Sequence, residues 1–235
     1  MPTWAQLIAN TDAMRRRRGA PRARVAPATP PSAAIMGYTS VADDFMKRFD
    51  KAQGRGSLAV LDELLKVRTG TKATKAVRDA QRHARDELAR QLGKPIKALP
   101  TGDRAVSDAF VAEQERLWRK LAADVANELA TNGPEAARKL AERRARLIVA
   151  DQAHKAQAEA MAYYAQANGS VHYTWVTRHD ERVREGHAVL DGTLQRWDAP
   201  PNTGRKEGHN HPGQAVNCRC SVVAILAPQR TNRGA

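Results

Sequence analysis

Residues 158–176 read AEAMAYYAQANGSVHYTWV, and the change of period inside this stretch decides the fold. Ala158, Met161 and Ala165 recur at the three-and-four spacing that keeps side chains on one helical face. Asn168-Gly169 follows, and glycine takes the left-handed conformation that ends helices without a steric penalty. Beyond it Val171, Tyr173 and Trp175 alternate with His172 and Thr174, the period of a strand with one buried face. The chain is therefore read as α+β: a predominantly helical N-terminal arm and long helical hairpin, followed by a small C-terminal α+β module with a short antiparallel sheet.

Toward the N-terminus, Pro134 suits a first helical position, and Asn132-Gly133 before it closes another helix. Leu140, Leu147 and Ile148 mark the later helix, and Val106, Phe110, Leu117, Leu121 and Val125 the earlier one, so two long antiparallel helices joined by a tight turn are expected. Upstream of these, Val77, Ala80, Ala84, Leu88 and Leu92 form a narrow stripe on a helix running from Thr71 to Leu92. Leu58, Leu61, Leu64 and Leu65 mark a shorter helix, and Ser40 is read as the N-cap of one bearing Val41, Phe45, Met46 and Phe49. Residues 36–168 thus make a helical region.

Residues 1–35 are a basic arm rich in Pro, Ala and Arg. Pro21, Pro27, Pro30 and Pro31 deny it a helix, while Arg15, Arg16, Arg17, Arg18, Arg22 and Arg24 repel one another and offer contacts to DNA or an acidic partner. Toward the C-terminus, Asp180 is expected to cap a short helix ending near Leu190, and Asp191-Gly192 to turn the chain into a strand from Thr193 to Trp197. A loop rich in Pro, Gly, Asn and His fills 198–217, and a last strand, Cys218 to Leu226, completes a module spanning 169–226. A polar tail occupies 227–235.

Across 235 residues the hydrophobic content is 42%, the aromatic content 5% and the formal net charge +14, spread along the chain rather than owned by one segment. Such a field attracts polyanions without reading their sequence. No run of about 18 apolar residues predicts a membrane span, and no membrane partner is expected. Cys218 and Cys220 are too close for a relaxed disulfide and are expected to stay reduced.

Five histidines, His172, His179, His187, His209 and His211, gather in sequence with both cysteines. On a strand Cys218 and Cys220 would face the same way, and two thiolates with two imidazoles make a tetrahedral zinc site. His187 is the best third ligand, with Asp180, His209 or His211 as the fourth, so His187, His211, Cys218 and Cys220 are the candidate ligands of a structural zinc. The spacings are tighter than the usual zinc knuckle, and the alternative is that both cysteines pack as small buried hydrophobes. His172, His179, Asp180 and His187 would serve a metal-dependent nuclease, a different class of function. Non-specific DNA binding is a third. No phosphate loop or hydrolase motif accompanies them, and a non-enzymatic role is expected.

The ordered pieces Tyr173-Thr174-Trp175-Val176-Thr177, Asp180-Glu181-Arg182-Val183-Arg184, His187, Leu190-Asp191-Gly192 and His211-Pro212-Gly213, leading to Asn217-Cys218-Arg219-Cys220, resemble the signature of the Mu F-like phage head-morphogenesis family. The likeness reaches upstream to Arg146-Leu147-Ile148-Val149-Ala150-Asp151-Gln152, and residues 1–130 carry no signature of the family. It implies a minor capsid protein of the virion, acting in head assembly in the host cytoplasm at or near the portal vertex. Its partners would be the portal protein, other head proteins and packaged DNA. The motif residues carried over are Trp175, Asp180, Arg184, His187, Asp191, Gly192, Asn217, Cys218, Arg219 and Cys220. Each has a structural reading as well: Trp175 and Trp197 as core, Asp180 as a cap, Arg182 or Arg184 holding an acidic partner, and Asp191-Gly192 as a turn.

Overall fold

The computed structural model describes residues 32–226. Of the basic arm, residues 1–31 with Arg15 to Arg18, Arg22 and Arg24 lie outside the described residues, as does the tail 227–235. The element order is α1 (Ser32–Ala52), α2 (Ser57–Leu64), α3 (Gly70–Leu92), α4 (Pro100–Ala167), β1 (Ser170–Val176), α5 (Glu185–Ala188), β2 (Leu194–Arg196) and β3 (Ser221–Leu226). This is the expected α+β arrangement, helices first and sheet last. No helix among the described residues is long and apolar enough to cross a membrane.

α1 begins at Ser32, eight residues before the expected cap at Ser40. Ser40 lies inside the helix, where its hydroxyl donates to the Gly37 carbonyl at 3.0 Å. The extension brings Gly37 against α3, where a Cβ at Gly37 would sit 2.8 Å from that of Ala76. α4 is two helices meeting at Gly133, whose φ of 85° and ψ of 179° break the helical path ahead of Pro134. The arms, 100–132 and 134–167, return alongside each other as the expected hairpin.

The hairpin and α1 share one core, built from Tyr38, Val41, Phe45 and Phe49 of α1, Trp118, Leu121 and Val125 of the first arm, and a run of small residues on the second. Ala137, Ala141, Ala145, Val149, Ala153, Ala156 and Ala160 are all buried, nearly every fourth position. α3 answers with Ala73, Ala76, Ala80 and Ala84, and Ala80 packs with Ala156. Side chains this small bring helix axes to the near end of the 8–10 Å range. The larger apolar residues that marked these helices in the sequence do not all point inward: Leu58, Leu65 and Leu147 are exposed.

Polar bonds key the helices together inside these seams. Gln114, fully buried, donates from Nε2 to Gln152 Oε1 at 2.9 Å and accepts the Trp118 indole N–H at 3.1 Å. Arg85 of α3 donates to the Tyr164 hydroxyl at 2.7 Å, that hydroxyl in turn donates to Asp103, and Gln81 reaches the Asp103 carbonyl at 2.8 Å.

The sheet has the order β2-β1-β3, antiparallel throughout, with Tyr173 opposite both Gln195 and Ala224 and Trp175 opposite Val222. Tyr173 and Trp175 project from one face onto Ala84 and Leu88 of α3 and Ala160, Met161 and Tyr164 of the second arm, joined there by Trp197. The outer edge of β3 is closed by a side chain. Gln91 of α3 donates to the Val222 carbonyl at 3.3 Å and accepts the Ala224 N–H at 3.1 Å, standing in for a neighbouring strand at an edge that would otherwise expose its backbone groups.

Candidate functional site

The motif residues converge at the end of the sheet farthest from β1's start, where the loop after β2 folds back onto the second arm. Asn217 adopts φ 55°, and its N–H donates to the Asp151 carboxylate at 2.6 Å. Gly213 packs so closely on α4 that a Cβ there would lie 2.5 Å from that of Ala158, and Gln214 reaches Glu159 at 3.0 Å. β3 starts at Ser221, so Cys218 and Cys220 lie on the segment before the strand and not on it, contrary to the strand expected from Cys218. Their sulfurs nonetheless share a neighbour on α5, His187.

α5 is one turn, Glu185–Ala188, shorter than the helix expected up to Leu190. Arg184 holds its N-cap position, and Asp180 does not cap it. Asp180 instead accepts both guanidinium nitrogens of Arg219 at 2.8 Å, and this hydrogen-bonded pairing holds its carboxyl below the usual range. Gly186 makes the approach of α5 to the loop possible, since a Cβ there would lie 2.2 Å from the Thr203 carbonyl oxygen.

His187 is the centre of the arrangement and is 2% exposed. Its Nδ1 lies 3.5 Å from Cys218 Sγ and 3.5 Å from Cys220 Sγ, and its Nε2 is 2.8 Å from Glu207 Oε2. Glu207 also pairs with Arg184 at 3.1 Å. Trp175 meets the imidazole edge-on, ring centroids 5.4 Å apart. Its indole Nε1 is buried without a well-formed partner, and it lies beside Cys220, where it favours the thiolate. Hydrogen bonds from Cys220, His187 and the Gly213 N–H lower the Cys218 thiol, and the same Cys218 sulfur with burial raises Cys220, so the pair keeps a single thiolate. Hydrogen bonding to Cys218 and Glu207 raises His187, toward the imidazolium.

Among the described residues the metal-ligating side chains gathered in one group are His187, Cys218 and Cys220. His211, expected with them, is taken by the Tyr173 hydroxyl at 2.8 Å. His209 bonds the Pro200 carbonyl, and Asp180 is held by Arg219. The four residues of the nuclease reading do not meet: His179 bonds Asp191 at 2.8 Å, while His187 turns to the sulfurs. Glu207 and the docking role of Asp151 escaped sequence reasoning. Glu207 carried one signal, as the sole carboxylate in the loop between Asp198 and Cys218.

Asp191 performs a second structural task near the site. It accepts the buried Thr177 N–H at 2.8 Å and its hydroxyl at 3.0 Å, while Gly192 at φ 74° donates to the Trp175 carbonyl at 2.8 Å. Burial pushes the Asp191 carboxyl up, but the Thr177 N–H, His179 and the Thr177 hydroxyl outweigh it and leave the group below its ordinary value. A depressed carboxyl contributes stability above the unfolded value, about 3.9, that disappears as pH falls through the folded one. Asp191→Asn is therefore expected to lower stability by about 1 kcal/mol at pH 7, discounted for its partial exposure. Denaturant midpoints of the two proteins should converge as pH falls below about 3.9, and a gap constant with pH would contradict the assignment.

The sequence of residues 111–223, from the first arm into β3, matches the family described as Phage Mu protein F like protein. Over that stretch, just under half of the chain, the protein is Mu F-like. The match begins in the first arm, upstream of the point where the recognisable motif pieces start, so the Mu F-like region includes the hairpin on which the cysteine loop docks. An uncharacterized protein of Haemophilus influenzae is 36% identical over 88 residues, 37% of this chain and 19% of that protein. The chain thus aligns with less than a fifth of that relative's length. No solved structure matches.

Proposed function

We propose that this protein is a minor component of a phage head, acting in head assembly at or near the portal vertex and contacting packaged DNA without reading its bases. The observation that carries the reading is the continuous Mu F-like match over hairpin, sheet and cysteine loop. The physical character of the site supports it. Cys218 and His187 are 3% and 2% exposed, so the pair is shut away from any substrate and the motif acts as a packed joint. The net charge of +14 supplies the attraction to phosphates. Function on this reading belongs to surfaces presented by a rigid helical stalk and its sheet, not to catalysis.

A tagged copy expressed during phage assembly is expected to co-sediment with proheads and to be enriched with the portal protein after capsid disruption. Recovery only from the unassembled fraction, with proheads and virions forming free of it, would refute the proposal. For the DNA contact, affinity for random duplex should fall steeply between low and physiological salt and be indifferent to sequence.

A further inference from the structure

We infer that His187, Cys218 and Cys220 bind a zinc ion that fastens the cysteine loop to α5, a role independent of where the protein acts. The donor atoms, His187 Nδ1 and the two sulfurs, all lie within 4.8 Å of one another. Each sulfur is 3.5 Å from Nδ1. A tetrahedral ion with Zn–S near 2.3 Å and Zn–N near 2.0 Å separates nitrogen and sulfur by about 3.5 Å, so both nitrogen–sulfur separations already match those of zinc ligands.

Three further features fit. The other imidazole nitrogen, Nε2, is held by Glu207 at 2.8 Å, the carboxylate–histidine pairing that orients a metal-binding ring and raises its basicity. The Gly213 N–H, 3.3 Å from Cys218 Sγ, is a donor turned toward a sulfur that it stabilises best when anionic, and the buried indole Nε1 of Trp175 is without a hydrogen-bond partner. Two thiolates without a cation would repel each other at this distance, whereas zinc holds both deprotonated. The donors come from two segments about thirty residues apart, separated by the Pro- and Gly-rich loop 198–217, so one ion closes a stretch with little regular structure. Three protein donors leave the fourth tetrahedral position of the ion to a water molecule.

The test uses the full chain purified under reducing conditions. One zinc per chain is expected, and cobalt(II) titrated into chelated protein should give a thiolate-to-metal charge-transfer band with tetrahedral ligand-field absorption. Cys218→Ser and Cys220→Ser should each weaken binding at least tenfold, while His211→Asn leaves it unchanged. Because loss of a cysteine removes part of the packed core along with a ligand, Glu207→Gln serves as a second probe: it keeps a hydrogen-bonding side chain and should reduce affinity by about 10–100-fold. A folded, reduced chain with neither bound zinc nor a cobalt charge-transfer band would overturn the inference. Binding that survives Cys218→Ser/Cys220→Ser would overturn it equally.

Discussion

Trp175→Ala is expected to destabilise the protein by about 3–5 kcal/mol, the range for emptying an aromatic position in a packed interior. The side chain is fully buried and touches three structures at once: the helices beneath the sheet, Val222 of the paired strand and the edge of His187. With total stabilities of about 5–15 kcal/mol, such a loss removes a large part of the margin. Urea unfolding followed by far-UV circular dichroism should show the midpoint fall with little change in slope. A loss below about 1 kcal/mol would mean that the sheet and helices are not held by the core described.

Gly186→Ala is expected to be nearly as damaging, for a different reason. The added carbon would meet the Thr203 carbonyl oxygen at 2.2 Å and its carbon at 3.0 Å. The atoms it would meet are backbone and a Cβ has no rotamer, so no side-chain rotation relieves the contact. Thr203 is itself buried and tied to the Gly208 carbonyl through its N–H at 2.9 Å and its hydroxyl at 3.0 Å. The loop must lift from α5, at a cost of about 1–3 kcal/mol or more, and Glu207 moves away from His187 with it. Limited proteolysis should then cut within 198–217. Gly70→Ala is the control: it meets nothing within 4 Å on α3 and should be neutral or slightly stabilising. Equal protease resistance of Gly186→Ala and the parent chain would refute the close approach.

The punctuation of the fold was legible in the sequence. Asn132-Gly133-Pro134, Gly169 and Asp191-Gly192 stand where the chain changes direction, because backbone stops depend on residue type and little on distant contacts. The faces of the helices were harder to read. Large apolar residues draw attention, yet Leu58, Leu65 and Leu147 face outward while alanines line the seams, since helices packed closely select the smallest side chain.

At the site, the spacing of Cys218 and Cys220 suggested a common face. A strand was the wrong carrier, and an irregular segment brings the sulfurs together instead. The histidine cluster was legible as composition but not as geometry. His179, His209 and His211 each answer to a local partner, Asp191, Pro200 and Tyr173, and only folding distinguishes these from His187. Asp151 and Glu207 show the same limit, since their partners lie 66 and 20 residues away along the chain.

An alanine seam also leaves a question of alignment between α3 and the second arm. Shifted along its neighbour by one turn, about 5.4 Å, such a helix presents alanine where alanine stood before, and the apolar contact hardly distinguishes the two positions. Arg85, Tyr164 and Asp103 do distinguish them. Their linked bonds exist at a single setting, and a slip would strand the part-buried guanidinium and phenol. The setting they select is the one that delivers Gln91 to the backbone of β3, so three polar side chains index a sliding surface and thereby decide whether the sheet finds its last neighbour.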